Sequence, residues 1–239
     1  MILEDVMNLS QIFVFIEFTT ANVNVTGILI FITVILSIYA EENPGFKKKW
    51  IFNPYSIHKY NEYQRFLTSG FIHNGYLHLG VNMYVFYSFG SLLEREVFQS
   101  PEVLGASGQW VYPIFYLLAI IAAGIPSYFK HRHKIYYNAL GASGGVSAVV
   151  FAFVLFFPMN GIGIIFLPDQ FALPGFIFAI LYLFYTAYMA RQQDKGYQDN
   201  IGHDAHLYGA LFGILFSILI YPQVIFLFIR EIMSWKGFF

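Results

Sequence analysis

Long apolar stretches without a charged residue alternate with polar connectors along most of the chain. Six such stretches occur, at residues 18–40, 66–93, 103–129, 135–168, 170–190 and 205–229. Each can hold the ~20 apolar residues that cross ~30 Å of hydrocarbon as an α-helix. The pattern therefore predicts an all-α, multi-pass integral membrane protein with six transmembrane helices.

Two segments depart from a simple helix-and-connector pattern. The fourth stretch is longer than one helix needs and begins with the loop-like run Asn138-Ala-Leu-Gly-Ala-Ser-Gly-Gly, so we expect a re-entering loop followed by one helix. The first connector, residues 41–65, is long, basic and rich in aromatic residues, which is typical of a segment in the lipid headgroup region. Residues 1–239 contain no repeat and no shift in composition, which predicts a single membrane domain.

The composition supports the same class of protein. Of the 239 residues, 57% are hydrophobic and 11% are charged, whereas soluble domains carry about 25% charged residues. So few charges cannot cover a soluble globule, and a net charge of −1 gives no indication of a nucleic-acid partner. The chain has no cysteine, which excludes disulfides, thiolate nucleophiles and thiolate metal ligands. A lipid bilayer is therefore the expected environment.

Basic residues are distributed unequally between the two ends of the predicted helices. Of the 13 lysines and arginines, Arg95, Arg230 and Lys236 fall on the side of the N-terminus, and the other ten fall on the opposite side. The positive-inside rule would place the side with ten basic residues in the cytoplasm.

Three clusters of polar residues lie at the starts of the second, fourth and sixth predicted helices. They are His73-Asn-Gly-Tyr-Leu-His78-Leu-Gly-Val-Asn82, Gly141-Ala-Ser143-Gly-Gly and His203-Asp-Ala-His206-Leu-Tyr-Gly209-Ala-Leu-Phe-Gly213. The even-numbered helices of a six-helix bundle run parallel, so all three clusters begin on the same side of the membrane. Polar groups in spanning segments are candidates for a functional site.

The residue types in these clusters allow nucleophilic chemistry. A serine hydroxyl becomes a nucleophile when a neighbouring base takes its proton, and histidine is the usual base. Ser143 lies at a helix start, where backbone N–H groups and the helix dipole favour an anion. His78 and Asn82 share one helix face and could donate hydrogen bonds to an oxyanion. A GxxxG pair in the sixth helix permits close helix contact, and contact with the fourth helix would bring His206 towards Ser143.

Each motif also has a purely structural explanation. A Gly-x-Ser-Gly run and a GxxxG pair are common at helix interfaces, and His78 with Asn82 could be a hydrogen-bonded pair between helices. His73 is interpreted as a donor that stabilises a loop. The order of the motifs and their position on one side of the membrane favour chemistry over packing.

In this order the motifs resemble those of the rhomboid intramembrane serine proteases. The matching residues are His73, His78-xxx-Asn82, Gly141-Ala-Ser143-Gly and Ala205-His206-Leu-x-Gly209-xxx-Gly213, flanked by Arg65…His73 and Gly90…Glu94. The similarity is best over residues 53–213 and implies a rhomboid-like core at about residues 23–221, between a short N-terminal segment and a C-terminal tail. It implies a six-helix bundle with a long interfacial first loop.

The resemblance implies a serine endopeptidase that needs neither a cofactor nor a metal. Ser143 would be the nucleophile and His206 the general base, and the surrounding sequence favours His206 over His203 for this role. His78, Asn82 and the backbone N–H of Ser143 would form the oxyanion hole. The substrates would be transmembrane proteins, cut in or near their membrane-spanning segments, and the expected location is a bacterial cell membrane.

Two positions depart from the family pattern. The Trp-Arg pair of the family's first loop is Gln64-Arg65 here, and by resemblance Arg65 and Glu94 have structural roles. Ser147 occupies the position where some members have a tyrosine that stacks on the catalytic histidine. Because neither change removes a reacting group, we expect activity, and we expect Ser147→Tyr to be tolerated or to improve turnover.

The surroundings of the site are also predicted by resemblance. Residues 191–204 are expected to form a flap over the cavity, and the aromatic residues 176–188 are expected to border a lateral opening for substrates. The family orientation places the site outside the cytoplasm, which opposes the distribution of basic residues. We favour the family orientation, because interfacial loops and acidic neighbours weaken the count of basic residues.

Other classes of protein compete with this interpretation. The main alternative is a catalytically silent rhomboid-like protein that binds membrane clients, although both Ser143 and His206 are present. A metalloprotease would need a HExxH-type motif and an intramembrane aspartyl protease would need two aspartates within spans, and the sequence has neither. A transporter also uses glycine-interrupted helix starts, but it does not explain the order of serine, histidine and asparagine.

Overall fold

The computed structural model describes residues 24–163, 172–195, 201–235 and 237, and within these ranges it is mostly helical. The helices are α1 (Val25–Glu42), α2 (Pro44–Trp50), α3 (Pro54–Tyr60), α4 (Arg65–Thr68), α5 (Tyr76–Leu92), α6 (Gly108–His131), α7 (Ser143–Phe156), α8 (Gly175–Asp194), α9 (His203–Ile220) and α10 (Val224–Met233). A π-helical turn, Leu93–Phe98, extends α5. Two short strands, β1 (Gly161–Ile162) and β2 (Leu173–Pro174), pair antiparallel. The predicted all-α class is confirmed.

The apolar helices are those of an integral membrane protein. By length and composition, three helices among the described residues could cross a membrane: Val25–Glu42, Gly105–His131 and His203–Ile220. Large apolar side chains point outward from the bundle, for example Phe31 and Leu219, which are 65% and 77% exposed. Such side chains are stable on an outer surface when lipid rather than water covers them.

Helix α7 forms the centre of the bundle. Every residue from Gly144 to Leu155 is buried, and the helix packs against α5, α6, α8 and α9. A helix that is apolar on all sides requires neighbours on all sides, which explains its central position. Its 14 residues make it about 21 Å long at 1.5 Å per residue.

Two glycines allow α9 to contact α7 at backbone distance. A Cβ atom added to Gly209 would lie 2.0 Å from the carbonyl oxygen of Gly144, and one added to Gly213 would lie 2.1 Å from that of Ala148. Only glycine fits at separations this short, because Cβ atoms essentially never come within 3.0 Å of another heavy atom in this way. The GxxxG pair therefore packs onto the fourth apolar stretch, which the sequence had left open as one possible partner.

Glu94 ties the end of α5 to the start of α1. Its buried carboxylate accepts hydrogen bonds from the backbone N–H groups of Val25 and Thr26, at 2.8 and 2.9 Å, and from the Thr26 hydroxyl at 2.8 Å. The same hydroxyl lies 2.9 Å from the hydroxyl of Tyr112 on α6. A carboxylate at a helix N-terminus satisfies free N–H groups and interacts favourably with the helix dipole. Glu94 thus has the structural role that the resemblance implied.

Replacement of Glu94 by alanine will lower the free energy of unfolding, because two N–H groups at the start of α1, one of them buried, lose their charged acceptor. The expected loss is about 3 kcal/mol, since hydrogen bonds to charged groups contribute about 1.5–3 kcal/mol each. Thermal and denaturant unfolding of the purified protein in detergent micelles measures it. Glu96→Ala is the matched control, because Glu96 is exposed and pairs with its neighbour Arg95. Equal stability of the two variants would contradict this role of Glu94.

Arg65 holds the connector between α1 and α5 together. Its buried guanidinium donates to the carbonyl oxygens of Lys48 and Ile51, at 2.9 and 2.8 Å, and to the carboxylate of Glu62 at 2.5 Å. The end of α2 is thereby fixed against the start of α4. These contacts give Arg65 the structural position that the resemblance implied.

The same connector anchors the chain that leads into α7. Phe52 and Ala139 exchange two backbone hydrogen bonds, of 2.9 and 3.0 Å. The side-chain amide of Asn53 donates to the carbonyl oxygens of Ile135 and Tyr137, at 3.1 and 3.2 Å. The loop before α7 is therefore held in place from outside the helical core.

Candidate active site

The starts of α5, α7 and α9 meet at one cavity. It is open to the outside, has a volume of about 1810 Å³, and is lined by His78, Asn82, Ser143 and His206 among others. These are the four side chains that the sequence analysis selected from three separate motifs. The fold therefore brings the candidate residues to one place, at the end of the bundle where the three helices begin.

Ser143 is the first residue of α7 and follows a turn that only glycine suits. Gly141 has a φ of +119°, and a Cβ atom there would lie 2.7 Å from Cε1 of His78. The backbone before Ser143 thus lies directly against the His78 imidazole. The first N–H groups of α7 have no acceptor within the helix, so they are available to a developing negative charge beside Ser143.

His73 fixes the backbone immediately before Ser143. Its buried ring accepts a hydrogen bond from the backbone N–H of Ala142 at Nε2, at 3.1 Å, and its Nδ1 lies 3.0 Å from the hydroxyl of Ser37. Burial, and next the neighbouring His78, lower the pKa of His73 to about 3, so the ring is neutral at physiological pH. His73 therefore stabilises the loop as predicted, but towards Ala142 it accepts rather than donates.

His78 and Asn82 occupy one face of α5 at the cavity. The Asn82 side chain is buried and donates one N–H of its amide to the carbonyl oxygen of His78, at 2.9 Å. An amide carries two N–H groups, so this bond leaves the second for a ligand in the cavity. The His78 ring lies 5.0 Å from that of His73, measured between centroids. Both side chains line the cavity that Ser143 also lines.

The first turns of α7 and α9 contact each other. A Cβ atom on Gly144 would lie 3.3 Å from the carbonyl oxygen of Ala205. Gly144 follows Ser143 and Ala205 precedes His206, so the two candidate residues flank this contact. His203 is buried one turn before His206, and the centroids of the two imidazoles are 6.2 Å apart.

Tyr182 of α8 also lies beside His206 and was not among the residues indicated by the sequence. Its ring centroid lies 6.3 Å from that of His206 with an interplanar angle of 23°, and its hydroxyl lies 3.0 Å from that of Ser147. No motif marks this residue. The only sequence signal was the abundance of aromatic residues between positions 176 and 188, which does not distinguish one of them from another.

An ionic contact joins three helices beside the cavity, and two of its residues, Lys130 and Asp194, are part of the cavity lining. Lys130, near the end of α6, pairs with Asp194 at the end of α8 and with Asp204 in the first turn of α9, the latter at 2.7 Å. The side chain of Gln193 donates to the carbonyl oxygen of Ile201 at 2.8 Å. These contacts hold the two ends of the segment expected to be a flap; its residues 196–200 lie outside the described residues. Within the described ranges, no three His, Asp or Glu side chains are grouped to hold a metal ion.

Fold and site together define a helical integral membrane protein with an open cavity at one end of its bundle, and several polar side chains are part of the lining of that cavity. The sequence pattern of the Rhomboid domain matches residues 60–223. The chain therefore belongs to the rhomboid family, as the order of its motifs indicated.

Known relatives carry the same family name. The mitochondrial presenilin-associated rhomboid-like protein of Mus musculus is 33% identical over 149 residues, which are 62% of this chain and 36% of that protein. Its Homo sapiens counterpart is also 33% identical over 149 residues, 62% of this chain and 35% of that protein. The chloroplastic rhomboid-like protein 11 of Arabidopsis thaliana is 27% identical over 191 residues, 79% of this chain and 63% of that protein.

These relatives bear on the expected location. The chain spans about a third of the length of the two mitochondrial relatives. The relatives are named as mitochondrial or chloroplastic proteins, so the expected bacterial cell membrane has no support from them. The integral membrane location stands on the family and on the apolar helices.

Proposed function

We propose that this chain is an intramembrane serine endopeptidase that uses Ser143 and His206 to hydrolyse peptide bonds in or near transmembrane segments. One observation carries the proposal: the start of α7, which bears Ser143, contacts the start of α9, which bears His206, inside a cavity also lined by His78 and Asn82. Family membership supports the same activity.

The geometry supports a two-step acyl transfer. His206 takes the hydroxyl proton of Ser143 as Oγ bonds to the substrate carbonyl carbon, and the imidazolium then gives that proton to the leaving amine as the C–N bond breaks. Water, activated by the same imidazole, hydrolyses the acyl-enzyme. The oxyanion of each tetrahedral intermediate would accept hydrogen bonds from the Ser143 N–H, the Asn82 amide and the His78 ring.

The proposed arrangement in the bilayer has six spans, formed by α1, α5, α6, α7, α8 and α9, within a single membrane domain of residues 1–239. Helix α7, at about 21 Å, is shorter than ~30 Å of hydrocarbon, so Ser143 would lie below the membrane surface. The open cavity, with the polar side chains in its lining, would bring water to it, which hydrolysis at this depth requires. Helices α2 to α4 would lie in the headgroup region.

The substrates proposed are transmembrane proteins that approach from the lipid. Helix α8 would border their lateral opening, because large aromatic side chains on it face outward, including Phe184 at 74% exposure and Tyr188 at 60%. A peptide bond inside a helix is shielded, so a substrate segment has to unwind before Ser143 can attack it.

Covalent labelling with a fluorophosphonate tests this function without a known substrate. The Ser143 oxygen would displace fluoride from phosphorus while His206 takes the hydroxyl proton, and peptide mass spectrometry would locate the adduct. We expect labelling of the wild type at Ser143 and none in Ser143→Ala or His206→Ala. An unlabelled wild-type protein would favour the alternative, a catalytically silent rhomboid-like protein that binds membrane clients.

Replacement of Asn82 by alanine tests the oxyanion hole. Cleavage of a single-span reporter protein in liposomes should slow roughly 100-fold in kcat with little change in KM, because the lost hydrogen bond is strongest in the transition state. Asn43→Ala is the matched control, since Asn43 also donates its side-chain amide to a backbone carbonyl four residues earlier, that of Tyr39, at 2.9 Å. An equal effect of both substitutions would show that Asn82 acts only on its own helix.

A further inference from the structure

Tyr182 lies between the base candidate and the helix that bears the nucleophile candidate. Its hydroxyl is 3.0 Å from the Ser147 hydroxyl, one turn after Ser143 on α7. On its other side, its ring lies nearly parallel to the imidazole of His206, with centroids 6.3 Å apart. This separation is within the ~4.5–7 Å range in which aromatic rings attract each other.

The Tyr182 side chain contacts α7, although few residues of its own helix are buried. Only Gly175, Thr186 and Ala190 are buried in α8. The Tyr182 ring, in contrast, packs against Phe151 of α7, at 5.5 Å between centroids. It also packs against Phe178 of its own helix, at 5.6 Å. Together with the bond to Ser147, these contacts hold the ring at one place beside His206.

We propose that Tyr182 is a positioning residue for the general base, His206. This inference rests on the proposed function. A base acts efficiently only when its ring nitrogen stays directed at the hydroxyl it deprotonates, and a fixed neighbouring ring restricts rotation of the imidazole. Ser147 contributes by holding the phenol of Tyr182. The proposal also ties the orientation of His206 to the position of α8.

This arrangement explains the departure of Ser147 from the family pattern. The ring that some members carry at position 147 is supplied here from α8, and the small serine leaves room for it. The earlier expectation for Ser147→Tyr changes accordingly. A tyrosine at position 147 would enter the space that Tyr182 already fills, and overpacking of this kind is destabilising.

The test measures the rate of fluorophosphonate labelling of Ser143 in the purified full chain in detergent, over a series of probe concentrations. Tyr182→Leu should lower the maximal labelling rate roughly 10-fold or more, because His206 loses its orientation, and should leave the half-saturating probe concentration unchanged. Tyr182→Phe keeps the ring and should stay within about 3-fold of the wild type. Tyr84→Leu, at an exposed position of α5 away from the cavity lining, is the matched control and should label at the wild-type rate.

A double substitution separates positioning from simple packing. The variant with both Ser147→Tyr and Tyr182→Leu carries an aromatic ring on α7 in place of the one on α8. Its maximal labelling rate should recover to within about 3-fold of the wild type. The inference is overturned by normal labelling of Tyr182→Leu, or by a double variant that keeps the wild-type unfolding temperature but labels no faster than Tyr182→Leu. Absence of labelling in the wild type itself would instead overturn the proposed function.

Discussion

Ser143→Ala and His206→Ala will each abolish cleavage of a transmembrane substrate. In the proposed mechanism, the first substitution removes the atom that forms the acyl-enzyme, and the second removes the group that accepts its proton. We expect each to lower kcat by roughly 10⁴-fold or more, as with paired nucleophile and base elsewhere. The assay is cleavage of a single-span reporter protein in liposomes, followed by gel electrophoresis and mass spectrometry of the fragments.

Three further variants make this prediction specific. The double variant Ser143→Ala/His206→Ala should lose no more activity than either single variant, because the two residues act as a unit. Ser88→Ala and His133→Ala are matched controls. Among the described residues, the Ser88 hydroxyl donates within its own helix, to the carbonyl oxygen of Tyr84, and His133 is exposed in the connector after α6. Equal cleavage by wild type, Ser143→Ala and His206→Ala would end the proposal of proteolysis.

Gly209→Ala will inactivate the protein although it adds one methyl group and touches no reacting atom. The new Cβ would lie 2.0 Å from the carbonyl oxygen of Gly144 and could not remain within 3.0 Å of it. Because the obstacle is backbone, α7 and α9 have to separate by about 1 Å, and a displacement of that size between reacting groups can lower the rate roughly 100-fold. We expect at least this loss in kcat, together with a lower unfolding temperature.

Gly80→Ala is the matched control for this prediction. Gly80 lies in α5, and a Cβ atom there would meet nothing within 4 Å. Alanine is also the better helix former, so stability should be unchanged or slightly increased. Normal cleavage by Gly209→Ala would mean that the backbone contact between α7 and α9 does not control the distance between Ser143 and His206.

Much of the candidate site was predictable because polar residues are conspicuous in apolar helices. Three helix starts within long charge-free stretches carry the candidate residues Ser143, His206, His78 and Asn82. Polar groups are rare in such stretches and are therefore candidates for function. Their placement around one cavity agrees with the expectation that these starts lie on one side. The role of His73 was predicted only in part, since whether its ring accepts or donates depends on Ala142 and Ser37.

The position of Tyr182 beside His206 could not be predicted from local sequence patterns. Its helix is rich in aromatic residues, and the sequence has no feature that distinguishes the one facing His206 from those facing outward. For the same reason the expectation for Ser147→Tyr took no account of Tyr182, a residue 35 positions away in the chain whose hydroxyl lies 3.0 Å from that of Ser147. Contacts between helices depend on how each helix is rotated and how closely it approaches its neighbour.

By itself, the sequence determined the helical membrane class, the rhomboid family and the residues at three helix starts, because spacing of charge and local motifs are properties of the chain alone. The tertiary structure decided which of these residues approach one another. Gly209 and Gly213 let α9 lie against α7 at backbone distance, and that separation places His206 near Ser143 and beside Tyr182. Such distances arise from packing of side chains and backbones from remote segments, which no single segment specifies.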